Sequence, residues 1–232
     1  MLTESGKINL AEKQMRTLLK RHPRNYFVNF GMGIINIKKS KIIEALYYFN
    51  KAVEIFPLFV EGWYNKGMVH LQNFEIDEMI HAFRKVVELG DADVDFVKNA
   101  KTILSDFESD LLQKDGLNLD VFLKIKTIFD RAFAGMEQQD WNKAILGFKK
   151  VLAVNPDHIQ SWGNLGICYG MLGQKSEALA AFNQALALDR NYEPAKDNRQ
   201  LVLTLEEGES LSKFGFTSTD YYMEKHRQRK RL

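Results

Sequence analysis

The chain has 232 residues, 45% of them hydrophobic, with one cysteine and a formal net charge of +2. That length and apolar content are enough for an ordinary core, which excludes a disordered chain, and the lone Cys168 excludes an internal disulfide or a multi-cysteine metal site, as expected of a cytoplasmic protein. No apolar run reaches the roughly eighteen residues of a membrane span, the opening MLTESGKINLAEKQ lacks the apolar core of a signal peptide, and Met223–Leu232 is +4 (five Lys or Arg against one Glu), which leaves about −2 on the body and argues against a nucleic-acid-binding surface there.

In chain order, residues 1–25 are predicted to hold one helix. Tyr26–Phe59 and Val60–Asp93 then read as two copies of one unit, because a shift of 34 aligns Gly33 with Gly67, Phe49 with Phe83 and Ala52 with Val86. Each unit is predicted to be two helices: one with a glycine in its middle, a turn, then one in which a small residue and a Phe stand four apart, as Ala45 and Phe49 do. Val94 to Gly116 carries Val97, Ala100, Ile103, Leu104, Phe107, Leu111 and Leu112 at helical spacing and reads as a single inserted helix. The same shift of 34 then aligns Ala144 with Ala178, Phe148 with Phe182 and Val151 with Ala185, which defines the units Ile125–His158 and Ile159–Tyr192. Phe83 and Phe148 are 65 residues apart rather than twice 34, so the register breaks once, across the inserted helix. Asn191 to about Lys213, with Leu201, Val202 and Leu205, suits a cap on the stack, and Phe214–Leu232 lacks a core pattern and reads as a flexible basic tail.

Glycine in a helix interior costs about 1 kcal/mol relative to alanine, so Gly33, Gly67 and Gly166 are expected where a neighbouring helix comes close. Ala45/Phe49, Ala144/Phe148 and Ala178/Phe182 supply the small notch and the large knob, and burying each Phe contributes about 1.5–3 kcal/mol.

Trp162, Leu165, Gly166, Tyr169, Ala178, Phe182 and Ala185 resemble the tetratricopeptide repeat pattern W-x2-L-G-x2-Y…A-x3-F-x2-A. A second copy, Trp63, Gly67 and Phe83, departs from it at Lys66, His70 and Met79, and Pro57 and Pro156 stand at the family's repeat-closing proline, where Arg190 replaces it in the last unit. The resemblance implies an all-α fold, a right-handed α-solenoid of antiparallel helix pairs with one inserted helix. Its arms are expected at residues 1–93 (a partial repeat, 1–25, then 26–59 and 60–93) and 118–213 (125–158, 159–192 and a capping helix, 193–213), joined by 94–117. Ala11 and His22–Pro23 resemble the second half of an earlier repeat, which reads either as a chain entered mid-repeat or as a capping helix.

The resemblance also implies an inner surface made by the first helix of each repeat. The residue two before the small packing position is Asn65, Asp130 and Asn164, and one repeat later Asn198. In similar proteins an asparagine there holds the backbone of an extended peptide, a task suited to an amide, which donates and accepts at once; the plainer reading is a solvated helix face. Around this ladder stand Phe27, Phe30, Ile34, Tyr64, Met68, Phe129, Phe133 and Met136, which favour an apolar or aromatic ligand unless they pack against neighbouring helices. The family's clamp for acidic tails is not expected, since Phe30 and Ile34, or Phe129 and Phe133, replace its Lys and Asn.

No catalytic, cofactor or metal site is expected. Histidines 22, 70, 81, 158 and 226 form no HxxxH pair, and Asp91, Asp93 and Asp95 begin a calcium-loop pattern that Phe96 and Thr102 break. The function expected is therefore a non-catalytic scaffold that binds a protein or peptide on its concave face, with no membrane partner. The alternative is a nucleic-acid- or ribosome-associated adaptor that docks through Lys225–Arg231 alone.

Overall fold

The helical spacing is realised in a computed structural model that describes residues 4–218; the basic run Lys225–Arg231 lies outside the described residues. Among the described residues there are eleven α-helices, a single turn of 3-10 helix and no strand: α1 (Glu4–Arg21), α2 (Tyr26–Lys38), α3 (Ile42–Ile55), α4 (Val60–Asn73), α5 (Ile76–Leu89), α6 (Asp95–Asp115), α7 (Leu119–Glu137), α8 (Trp141–Val154), α9 (Ile159–Met171), α10 (Lys175–Leu188) and α11 (Glu193–Leu203), then the 3-10 turn Leu211–Lys213. The chain divides into two compact units, Met1–Ser109 and Asp110–Leu232.

In the first unit α2 pairs with α3 and α4 with α5, and α3 packs on α4. The second unit pairs α7 with α8 and α9 with α10, and α11 adds to α9 and α10. Helix α7 begins at Leu119, ahead of the unit boundary predicted at Ile125, because Asn118 caps it by accepting from the Val121 N–H and Leu119 and Phe122 are already buried.

Inside each pair the predicted lock of glycine and phenylalanine is present. A Cβ placed on Gly33 would stand 2.4 Å from the Phe49 ring, on Gly67 2.6 Å from that of Phe83, and on Gly166 2.6 Å from that of Phe182. In the pair α7/α8 the lock is reversed: Ala132 stands where the other first helices have glycine, and Gly147 on α8 yields instead, its Cβ position 2.5 Å from the Ala132 Cβ. The three Phe residues, with Phe148, are fully buried.

The turns repeat the same register in the backbone. Ser40, Phe74, Gln139 and Gly173 all adopt left-handed conformation, with φ of 57°, 62°, 60° and 72°, at one position of the four hairpins. After each, the next residue donates its N–H to a carbonyl five residues back, as in Glu75 to His70 and Gln174 to Tyr169. Only Gly173 adopts this conformation without the penalty of about 1–2 kcal/mol that a Cβ brings, so three of the four turns are held by packing and by this hydrogen bond rather than by residue preference.

A second repeated contact ties each first helix to the segment before it. Trp63 Nε1 donates to the Pro57 carbonyl at 2.7 Å and Trp162 Nε1 to the Pro156 carbonyl at 2.7 Å. Asn29, at the equivalent place in α2, donates through Nδ2 to the Pro23 carbonyl at 3.0 Å. The repeat that begins at α2 thus uses an amide for the bond that the repeats beginning at α4 and α9 make with an indole.

Helix α1 packs on α2, where Met15 fills the space over Gly31. Glu12 on α1 accepts from Lys39 and, at 2.7 Å, from Arg16, and these cations, Lys39 foremost, hold its carboxyl below the usual range. Cys168 is buried in α9, and desolvation pushes its thiol up to about 12, so at neutral pH it is a protonated packing group and not a nucleophile.

Candidate functional site

The first helices of the repeats position the predicted ladder, and the two units treat it differently. In the first unit Asn65, half-buried on α4, donates Nδ2 to the carbonyl of Glu61 in its own helix at 2.9 Å. Tyr64 is engaged by the inserted helix: its hydroxyl donates to Asn99 Oδ1 at 3.0 Å, and its ring meets Phe96 at 5.3 Å between centroids. Helix α6 therefore touches α4 through Phe96 and Asn99. Phe27 is 62% exposed, the most open aromatic of the predicted set, and Met68 on α4 is exposed as well. Phe30 is half-buried and packs edge-on against Phe59, centroids 5.0 Å apart, so its ring joins one repeat to the next.

In the second unit Phe129 takes the place of Phe30 and meets His158 at 5.3 Å, again at the start of the next first helix. It is 1% exposed, and Met136 is buried as well; through His158 the Phe129 ring packs one repeat on the next. Phe133 stays half-buried and stacks on Phe129 at 6.2 Å. Asp130 is exposed and accepts from Lys126 at 2.6 Å, an i,i+4 pair that places a carboxylate where the ladder otherwise has an amide.

Asn164 on α9 and Asn198 on α11 stand one repeat apart, and each is buried to 1%. Asn198 makes a two-point bond with one residue's backbone: Nδ2 donates to the Thr217 carbonyl at 2.8 Å, and Oδ1 accepts from the Thr217 N–H at 3.1 Å. This uses the amide in both of its capacities, as donor and as acceptor, on the backbone of one residue. The preceding residue, Phe216, sets its ring edge-on to Trp141 at the start of α8, centroids 6.5 Å apart.

The route to Asn198 is built by a strap that follows α11. Gly208 donates its N–H to the Gly173 carbonyl at 3.0 Å, Ser210 Oγ donates to the Met171 carbonyl at 2.9 Å, and Leu211 is fully buried against Gly170. Lys175 donates to the Leu205 carbonyl. The predicted capping helix thus ends at Leu203, and the rest of the cap is this strap. Residues 214–218, the described start of the segment expected to be flexible, make contacts through Phe216 and Thr217.

Trp141 was not among the predicted site residues. It belongs to no repeat motif, and its equivalent one repeat later is Lys175, so spacing gave no signal for it. Three of the histidines are in structural roles: His158 Nδ1 accepts from the Ser161 N–H at 3.2 Å and caps α9, His70 Nδ1 meets Glu75 Oε2 at 2.5 Å, and His81 packs on Trp63.

Family models described as tetratricopeptide repeat match residues 60–89 and 159–192. Superkiller protein 3 of Schizosaccharomyces pombe is 24% identical over 198 residues, which cover 78% of this chain and 14% of that protein. Tetratricopeptide repeat-containing protein trd-1 of Caenorhabditis elegans is 24% identical over 171 residues, covering 69% of this chain and 21% of that protein. The chain therefore spans 14% and 21% of the length of these two relatives. Among solved structures, the P58(IPK) TPR domain matches 86% of this chain and 60% of its own at 19% identity, with a TM-score of 0.43. YrrB, described as a TPR protein with an unusual peptide-binding site, matches 82% of this chain and all of its own at 16% identity, with a TM-score of 0.37.

Proposed function

Because the chain carries tetratricopeptide repeats, a fold of protein–protein interaction scaffolds, we propose that it is a non-catalytic cytoplasmic scaffold that binds a segment of a partner protein on the inner face of its first helices. In the second unit that face comprises Asn164, Asn198, Asp130 and Phe133; in the first it comprises Phe27, Tyr64, Asn65 and Met68. The observation that carries this reading is the two-point bond from Asn198 to the Thr217 backbone. A side chain that reads one N–H and one C=O of the same residue recognises the backbone and tolerates many side chains, which suits a surface meant to hold a segment of another chain.

The test is a library of random twelve-residue peptides displayed on phage and selected on the intact chain, with the selected peptides then measured on Asn198→Ala and Asn65→Ala. Two neutral hydrogen bonds at about 0.5–1.5 kcal/mol each amount to roughly 1–3 kcal/mol, so Asn198→Ala is expected to weaken peptides held by the second unit about 5- to 150-fold while the helical circular dichroism stays unchanged. Peptides that bind both variants as tightly as the native chain would remove the ladder from the account.

A further inference from the structure

We infer that residues 215–218 are an internal ligand of the second unit, so that a partner segment must displace this chain's own Phe216–Thr217 to bind. The inference rests on the proposed binding face and adds its occupant, the pattern that occupant presents and the competition that follows.

Two contacts, of different chemistry and on different helices, define the occupant. Asn198 on α11 holds the backbone N–H and C=O of Thr217 through its two polar atoms. Trp141 on α8 receives the Phe216 ring edge-on, an arrangement favoured by the charge distribution of aromatic rings. The segment itself has no regular secondary structure, and Phe214 enters it in extended conformation, φ −121° and ψ 158°. Thr217 is exposed and makes no contribution to the core, so the contact serves no evident packing need. The strap from Leu205 to Lys213, anchored on Gly173 and Met171, delivers the segment to the site. The ligand class is therefore a segment with an aromatic residue immediately before the residue whose backbone is held, followed by small polar residues.

The consequence is quantitative. Short tethers give effective concentrations in the millimolar range, so a segment that binds in trans with a Kd of about 0.1 mM occupies its site about ten to one in cis and weakens any competitor about tenfold.

The probe is a fluorescein-labelled peptide with the sequence of residues 213–222, KFGFTSTDYY, titrated by fluorescence anisotropy and by chemical-shift mapping at millimolar concentration. Three full-length forms are compared: the native chain, Phe216→Ala with Thr217→Pro, and that double variant with Asn198→Ala. Thr217→Pro removes the N–H that Asn198 accepts, and the residue's exposure keeps the fold out of the comparison. The double variant is expected to bind the peptide about tenfold more tightly than the native chain, and Asn198→Ala to abolish the gain. Equal binding by native and double variant, still dependent on Asn198, overturns the self-occupancy and leaves the binding face standing. Binding indifferent to Asn198 overturns the face and the inference together, and no binding to either form up to millimolar peptide overturns the internal ligand.

Discussion

Replacing Phe182 with Ala is expected to lower the unfolding free energy by about 3–5 kcal/mol, the range for removing a fully buried aromatic ring. Phe182 has no exposed surface, and its ring edge lies where a Gly166 Cβ would be, 2.6 Å away, so the cavity opens between α9 and α10 and not at the surface. Neighbouring Ala178 and Ala185 are too small to collapse into it. In a repeat stack each pair is stabilised by its neighbours, so the loss spreads to α8 and α11 rather than staying local. Urea unfolding followed at Trp162, which sits in the same pair, measures it; a loss below about 1 kcal/mol would show that the glycine–phenylalanine lock is not a main support of the pair.

The second large effect is a reversal of sign between two glycines. Alanine in place of a helix-interior glycine ordinarily stabilises by about 0.5–1 kcal/mol. Gly135→Ala on α7 is expected to do so, since the nearest atoms to its Cβ position are 3.5 Å away or more. Gly166→Ala is expected to destabilise by about 1–3 kcal/mol, because the new methyl would meet three atoms of the Phe182 ring at 2.6–2.8 Å in a site with no free volume. Adding Phe182→Leu to Gly166→Ala should return part of the loss, since the shorter side chain withdraws from the clash. Thermal unfolding of the three variants decides it, and two glycines that respond with the same sign would contradict the packing account.

Much of the fold was legible because close packing demands particular residue sizes at fixed spacing. Gly33, Gly67 and Gly166 against Phe49, Phe83 and Phe182 are such pairs, and a 34-residue shift aligns Gly33 with Gly67, Phe49 with Phe83 and Phe148 with Phe182. Other features escaped because different chemistry fills the same place. Asn29 makes the bond to Pro23 that Trp63 makes to Pro57, yet an amide and an indole share no pattern in sequence. Ser40, Phe74 and Gln139 adopt a left-handed turn that their residue types do not announce.

The candidate site was legible only in part. Spacing picked out Asn198 as a ladder amide; the backbone that it holds is that of this chain's own Thr217. Phe30 and Phe129 also pack at the start of the next first helix, a contact that helical spacing alone does not reveal. Trp141 and the held segment at Phe216 and Thr217 could not be found, since both depend on where the strap after α11 delivers the chain. The basic run Lys225–Arg231, on which the nucleic-acid reading depends, lies outside the described residues.

Backbone recognition by the inner face is tested most directly at the Thr217 amide. Its residue is exposed, and among the described residues its N–H is bonded to Asn198 Oδ1 at 3.1 Å. Hydrogen exchange measured residue by residue on the intact chain is expected to show Thr217 slowed at least about tenfold relative to an unstructured peptide, and restored to the free rate by Asn198→Ala with the amides of α9 unchanged. A Thr217 amide that exchanges at the free rate in the native chain would contradict the account.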